Sequence, residues 1–142
     1  MRNPSEFIGI DVANMRFIAR LERSLSPVTC QKFCAILPVH AKAIQARWSG
    51  EAAWIPLPQL DLGVGKEGVT GSPNAGEILF HPADHCECEI LIPYGKSAFR
   101  CKDGDLTGNH FLTIVEGRQQ LKKLGELVLW QGGQRIRFSH PS

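Results

Sequence analysis

"MRFIARLERSLSPVTCQKFCAILP" (residues 15–38) changes its hydrophobic period halfway along. In its first part Met15, Phe17, Ala19 and Leu21 alternate with Arg16, Arg20 and Glu22, Ile18 being the exception. That period of two is the mark of a half-buried strand. In its second part Ser26 is placed to cap a helix and Pro27 to begin it, where a missing N–H costs nothing. Cys30, Phe33, Cys34 and Leu37 then follow at helical spacing, and Pro38 ends the run. A strand feeding directly into a short helix sets the architecture from which the rest of the chain is read.

Outward from this unit, further strands are expected at "AIQARW", "GEILFH", "CECEILIPY", "KSAFRC", "NHFLTIV", "ELVLWQ" and "QRIRF", most of them bounded by Gly, Pro, Asp or Asn. Many short strands with such punctuation imply a mainly β closed barrel or sandwich. A second helix is expected in "EGRQQLKKLGE", where Leu121, Leu124 and Val128 trace a stripe and Gly125 stands as a C-terminal cap. Residues 56–76 are rich in Gly and Pro without a sustained period and read as a long loop, the kind that serves as a lid or binding loop. At 142 residues the chain is expected to form one domain, 1–142.

The net charge of +2 is thinly spread, which argues against a nucleic-acid partner or an anionic membrane. With no long apolar run and no apolar signal core in "MRNPSEFIGIDV", a cytoplasmic location is expected. The five cysteines, an odd number, fit no disulfide framework.

Chemistry-bearing residues gather in three places. In "FHPADHCECEIL", His81, His85, Cys86 and Cys88 are the residues that could converge on a metal. Along an extended strand, however, Cys86 and Cys88 share a face with Ile90 and Ile92, while Glu87 and Glu89 share the other with Leu91. The expectation is therefore a turn and a barrel strand, with no metal and no cofactor. "RWSGEAAWIP" concentrates Arg47, Trp48, Ser49, Glu51 and Trp54, a fork for a carboxylate or amide beside rigid apolar walls. "GNHF" supplies Asn109 and His110, the latter being the best acid–base candidate by its near-neutral imidazole. Gly63, Gly65 and Gly68 satisfy a dinucleotide-type spacing, but no helical pattern follows them. Cys30 and Cys34 share their face with Phe33 and Leu37 and read as core.

The order of these segments resembles the cyclophilins: a strand, then Pro27-x-Thr29 and a helix carrying Phe33, and later "HFLTIVEG" with a short helix before a closing strand. The chain more closely resembles an uncharacterised family of small bacterial proteins with a cyclophilin-like fold. That resemblance is carried by "RWSGEAAWIP" (47–56), "GEIL" (76–79), "YG" (94–95) and "GNHFLTIVEG" (108–117). It implies a closed eight-stranded β-barrel with two flanking helices and brings no settled activity.

The expected function is binding of a small ligand, carrying a carboxylate or amide, in a groove near Arg47. Trp48, Ser49, Glu51, Trp54, Tyr94, Asn109 and His110 would line it. Whether the chain is an enzyme stays open, with Arg47, His110 and Glu51 as the catalytic candidates. One alternative is a divergent prolyl isomerase or proline-peptide binder, with Arg47 stabilising the twisted amide and His110 beside it. The usual "FHRI…FM-x-Q" signature is absent, since Trp48 and Ser49 follow Arg47. Another alternative is a structural module that pairs with a second copy as a homo-oligomer.

Overall fold

A computed structural model describes residues 4–46, 48–83, 87–101 and 104–141. Its strands are β1 (Phe7–Val12), β2 (Met15–Leu21), β3 (Val39–Gln45), β4 (Gly50–Pro56), β5 (Val69–Thr70), β6 (Glu77–His81), β7 (Glu89–Ser97), β8 (Arg100–Cys101), β9 (Gly104–Asp105), β10 (Gly108–Glu116) and β11 (Gln134–Ser139). Its α-helices are α1 (Pro27–Ala35) and α2 (Leu121–Gln131). Eight strands pair antiparallel in the order β2-β1-β11-β3-β4-β7-β6-β10, and β10 returns to β2 to close a barrel. Closure removes the free sheet edges that would otherwise invite pairing between chains. The short β5 adds to β10, and β8 pairs with β9 as a separate hairpin.

The alternation in β2 is realised as expected: Met15, Phe17, Ala19 and Leu21 are buried while Arg16 and Arg20 are exposed. Inside the barrel Phe33 of α1 meets Phe111 and Phe138 edge to face, at centroid distances of 5.1 and 5.5 Å, and Phe80 meets Phe111 at 5.8 Å. Such edge contacts add to the burial of the rings themselves. Thus α1 closes one end of the barrel. At the other end α2 buries Leu121, Leu124 and Val128 and contacts β3, β4, β7 and β11. A second apolar cluster lies on the outer wall, where Ala52, Leu79 and Leu91 are covered by Phe99 and Leu106. Among the described residues no helix is long and apolar enough to cross a membrane.

Four local expectations are corrected. "ELVLWQ" is not a strand, because α2 runs on through Gly125 to Gln131. Gly125 therefore caps nothing. It is buried in mid-helix because the Tyr94 ring packs on it, and a Cβ there would overlap that ring. "KSAFRC" is broken after Ser97, where β7 ends and the chain leaves for the β8–β9 hairpin. The "AIQARW" strand starts earlier, at Val39, and stops at Gln45.

The long loop is tied down rather than loose. Glu67 places its carboxylate at the start of α1, where the N–H groups of Thr29 and Val28 donate to it at 2.6 and 3.4 Å. It takes the position that Ser26 leaves, since the Ser26 hydroxyl donates instead to the carbonyl of His110 at 2.8 Å. An acidic group on the first turn also suits the helix dipole.

Candidate functional site

The turn between β3 and β4 brings polar groups to the barrel mouth beneath α2. A bulge between Gly50 and Ala52 takes Glu51 out of the strict alternation of β4. Its Oε1 accepts the Lys96 N–H at 2.8 Å, which fixes the side chain, and among the described residues the second oxygen has no hydrogen-bond partner. Gln45, at the end of β3, donates from Nε2 to the Gly50 carbonyl at 2.6 Å and accepts the Tyr94 hydroxyl at Oε1. Burial, with the Glu51 carboxylate nearby, outweighs that hydrogen bond and holds the Tyr94 pKa above the ordinary phenol value. Tyr94 is accordingly a neutral donor and acceptor at physiological pH.

Over these groups α2 lays Lys122, Glu126 and the exposed apolar side chains Leu129 and Trp130. Gly125 sits between them, and its missing side chain lets Tyr94 approach the helix. Together they enclose a pocket of about 270 Å³. Among the described residues Lys122 and Glu126 make no ion pair with each other, although they lie one turn apart. Lys preceding Glu is the less favourable order for such a pair.

Of the candidates read from the sequence, Glu51 and Tyr94 come together in this pocket. Arg47 lies outside the described residues. Trp48 is exposed on the β3–β4 turn, whereas Ser49 is buried and tied to β8, accepting the Arg100 N–H at 3.0 Å and donating to its carbonyl at 3.2 Å. Trp54 packs on the outer wall with the second apolar cluster, away from the pocket. Asn109 is fully buried, and its side chain is spent on the loop: Oδ1 accepts the Glu67 N–H at 3.1 Å, while Nδ2 donates to Thr29 Oγ1 at 3.1 Å and to the Gly65 carbonyl at 2.9 Å. Gln45, Lys122, Glu126 and Trp130 were not marked by the sequence. The last three lie in or beside a stretch whose apolar run imitates a strand.

His110 belongs to a separate chain of hydrogen bonds on the outer wall. Its Nε2 lies 2.8 Å from Thr113 Oγ1, the Thr113 hydroxyl donates to Glu22, and Arg20 also donates to Glu22 at 2.8 Å. A hydroxyl has one proton to give. With that proton directed at Glu22, Thr113 must accept from His110, which places a hydrogen on Nε2. Burial pushes the Glu22 pKa up, but the Thr113 and Arg20 hydrogen bonds and the Arg20 charge outweigh it and leave the pKa lowered.

The histidine–cysteine stretch is divided by the wall of the barrel. Cys88 faces the core with Ile90 and Ile92, where burial pushes its thiol pKa up to about 12. His81 and its cross-strand neighbour Glu89 lie on the outer side, and His81 Nδ1 is 2.9 Å from the Thr107 carbonyl. His85 and Cys86 lie outside the described residues. Among the described residues no three metal-ligating side chains converge.

Burial raises the Glu89 pKa from 4.5 to about 7, against a hydrogen bond from Trp54 that lowers it and with a further push from Glu87. Below pH 4.5 the folded and unfolded chains both hold this proton. Between 4.5 and about 7 the unfolded chain releases it first, so stability falls as pH rises through that window and is level above it. Glu89→Gln is expected to raise stability at pH 8 by on the order of 3 kcal/mol, at about 1.36 kcal/mol per pKa unit, and to change little at pH 4. Urea unfolding of both proteins at the two pH values checks this, and an equal effect at both would contradict it.

Residues 8–140 match a family model described as "Protein of unknown function (DUF3830)". No curated protein matches the chain. Among solved structures the fold is similar to McbB in complex with tryptophan, with a TM-score of 0.74 and 14% identity over 95% of this chain and 45% of McbB. The chain thus spans less than half the length of that protein. It is also similar to the hypothetical protein AF2241 from Archaeoglobus fulgidus, with a TM-score of 0.59 and 14% identity over 99% of this chain and 98% of that one. At such identities the likeness is one of fold.

Proposed function

We propose a function from geometry for this chain, which belongs to the DUF3830 family of unknown function: it binds a small ligand carrying a carboxylate or amide at the barrel mouth beneath α2. The observation that carries the reading is the convergence of Gln45, Glu51 and Tyr94, from three strands, with Lys122 and Trp130 of α2 on one pocket. Few, fixed polar groups against an apolar wall are what small-molecule sites have in common. The volume of about 270 Å³ suits a ligand of metabolite size rather than a folded partner. That McbB, on a similar fold, holds tryptophan supports a small ligand without locating its site here. The isomerase alternative depends on Arg47, outside the described residues, and on His110, whose Nε2 lies 2.8 Å from Thr113 Oγ1 on the outer wall.

A fragment set of aromatic acids, amides and amines, followed by amide and indole NMR shifts, tests the proposal. Binders are expected to move the signals of Gln45, Tyr94 and the Trp130 indole. Trp130→Ala should weaken them at least tenfold while leaving the melting temperature unchanged, since Trp130 is 74% exposed. Binders whose shifts map elsewhere, or which ignore Trp130→Ala, would remove the site from this pocket.

A further inference from the structure

Resting on that pocket being the ligand site, we propose that its ligand is a free α-amino acid with an apolar side chain. Among the described residues the lining carries two carboxylates, Glu51 and Glu126, and one ammonium, Lys122. A ligand bearing only a carboxylate could meet Lys122, but it would bring a third negative charge into a space of about 270 Å³. A ligand bearing only an amine would suit the carboxylates and place its charge against Lys122. Either ligand leaves one sign of charge in the lining without a partner. A zwitterion meets both signs. Its carboxylate answers Lys122, and its ammonium answers the Glu51 oxygen not used by Lys96.

The two groups of an α-amino acid share one carbon, so both must be met within the same small space. The Tyr94 hydroxyl donates to Gln45, which leaves its oxygen lone pairs as a further acceptor for an ammonium N–H. The remaining wall is Leu129 and Trp130, both more than half exposed. They offer apolar surface to a side chain and an indole face to the ammonium. Hence an aliphatic or aromatic side chain fits, and a charged one does not.

Calorimetry with L-tryptophan, L-leucine, tryptamine and indole-3-propionate tests this. At least one of the two amino acids is expected to bind, and L-tryptophan is expected to bind at least tenfold tighter than tryptamine or indole-3-propionate. Lys122→Met should abolish its advantage over tryptamine, and Glu51→Gln its advantage over indole-3-propionate. The glutamine still offers an oxygen to the Lys96 N–H, so the turn is kept. Tryptamine or indole-3-propionate binding at the pocket as tightly as L-tryptophan would overturn the amino-acid proposal and leave the ligand pocket standing. An L-tryptophan advantage that survives both substitutions would overturn it as well. If no probe or fragment moves the pocket signals, both readings fall together.

Discussion

Asn109→Ala is expected to cost the fold about 3 kcal/mol, because three partners lose their hydrogen bonds, at about 1–3 kcal/mol for the buried Thr29 hydroxyl and less for the two part-buried backbone groups. The partners are the Glu67 N–H, Thr29 Oγ1 and the Gly65 carbonyl, and Asn109 itself is fully buried. The loss should spread along a defined route. Glu67 would no longer be held where it accepts from Val28 and Thr29, so the first turn of α1 should loosen with the loop. Asn109→Asp should be no better, since it keeps an acceptor but loses both donated bonds. Urea unfolding measures the total, and hydrogen exchange at Gly65, Glu67 and Thr29 measures the route. A loss below 1 kcal/mol with unchanged exchange would mean that the loop is held by something other than Asn109.

The second large effect runs against helix propensity. Gly to Ala inside a helix usually gains about 1 kcal/mol. At Gly125 the added carbon would overlap the Tyr94 ring, and overpacking of this kind costs about 1–3 kcal/mol or more. The ring cannot simply swing away, because its hydroxyl is held by Gln45. Gly125→Ala is therefore expected to destabilise by about 2 kcal/mol, or roughly 6 °C in melting temperature for a chain of this size. In a Tyr94→Ala background the same substitution should become stabilising, as the propensity term is then unopposed. That reversal of sign in a double-mutant cycle is the decisive measurement. Equal effects in both backgrounds would assign Gly125 some other role.

What could be read from the sequence follows from how local each cause is. The alternation of β2, the proline start of α1 and the inward face of Cys88, Ile90 and Ile92 depend on neighbours within a few residues, and all were legible. "FIGIDV" carries the same alternation, with Ile8, Ile10 and Val12 buried, and could have been recognised as β1. Gly125 misled because glycine near a helix end usually caps it, whereas its cause here is a tyrosine 31 residues away in the chain. "ELVLWQ" misled for a related reason. Leu129 and Trp130 are exposed, so its apolar run does not mark a buried face. The pocket was half legible. Glu51 and Tyr94 stood out by residue type, while Lys122 and Trp130 gain meaning only when α2 crosses the barrel mouth. Asn109 was noticed as a ligand candidate, and nothing local announces that the long loop returns to claim its side chain.

The capping of α1 also bears on the order in which the chain can assemble. A nine-residue helix is too short to stand alone in water. Its first turn finds its acceptor in Glu67, 38 residues onward from Thr29, and Ser26 anchors to a carbonyl 84 residues onward. The segment whose helical start is written most plainly therefore cannot act as a seed for folding. It is finished by chain that emerges later, when β10 has joined β2 and the loop has come to rest. Closure between such distant segments favours slow, topology-limited folding, in which α1 is expected to gain its protection from hydrogen exchange only once the barrel is complete.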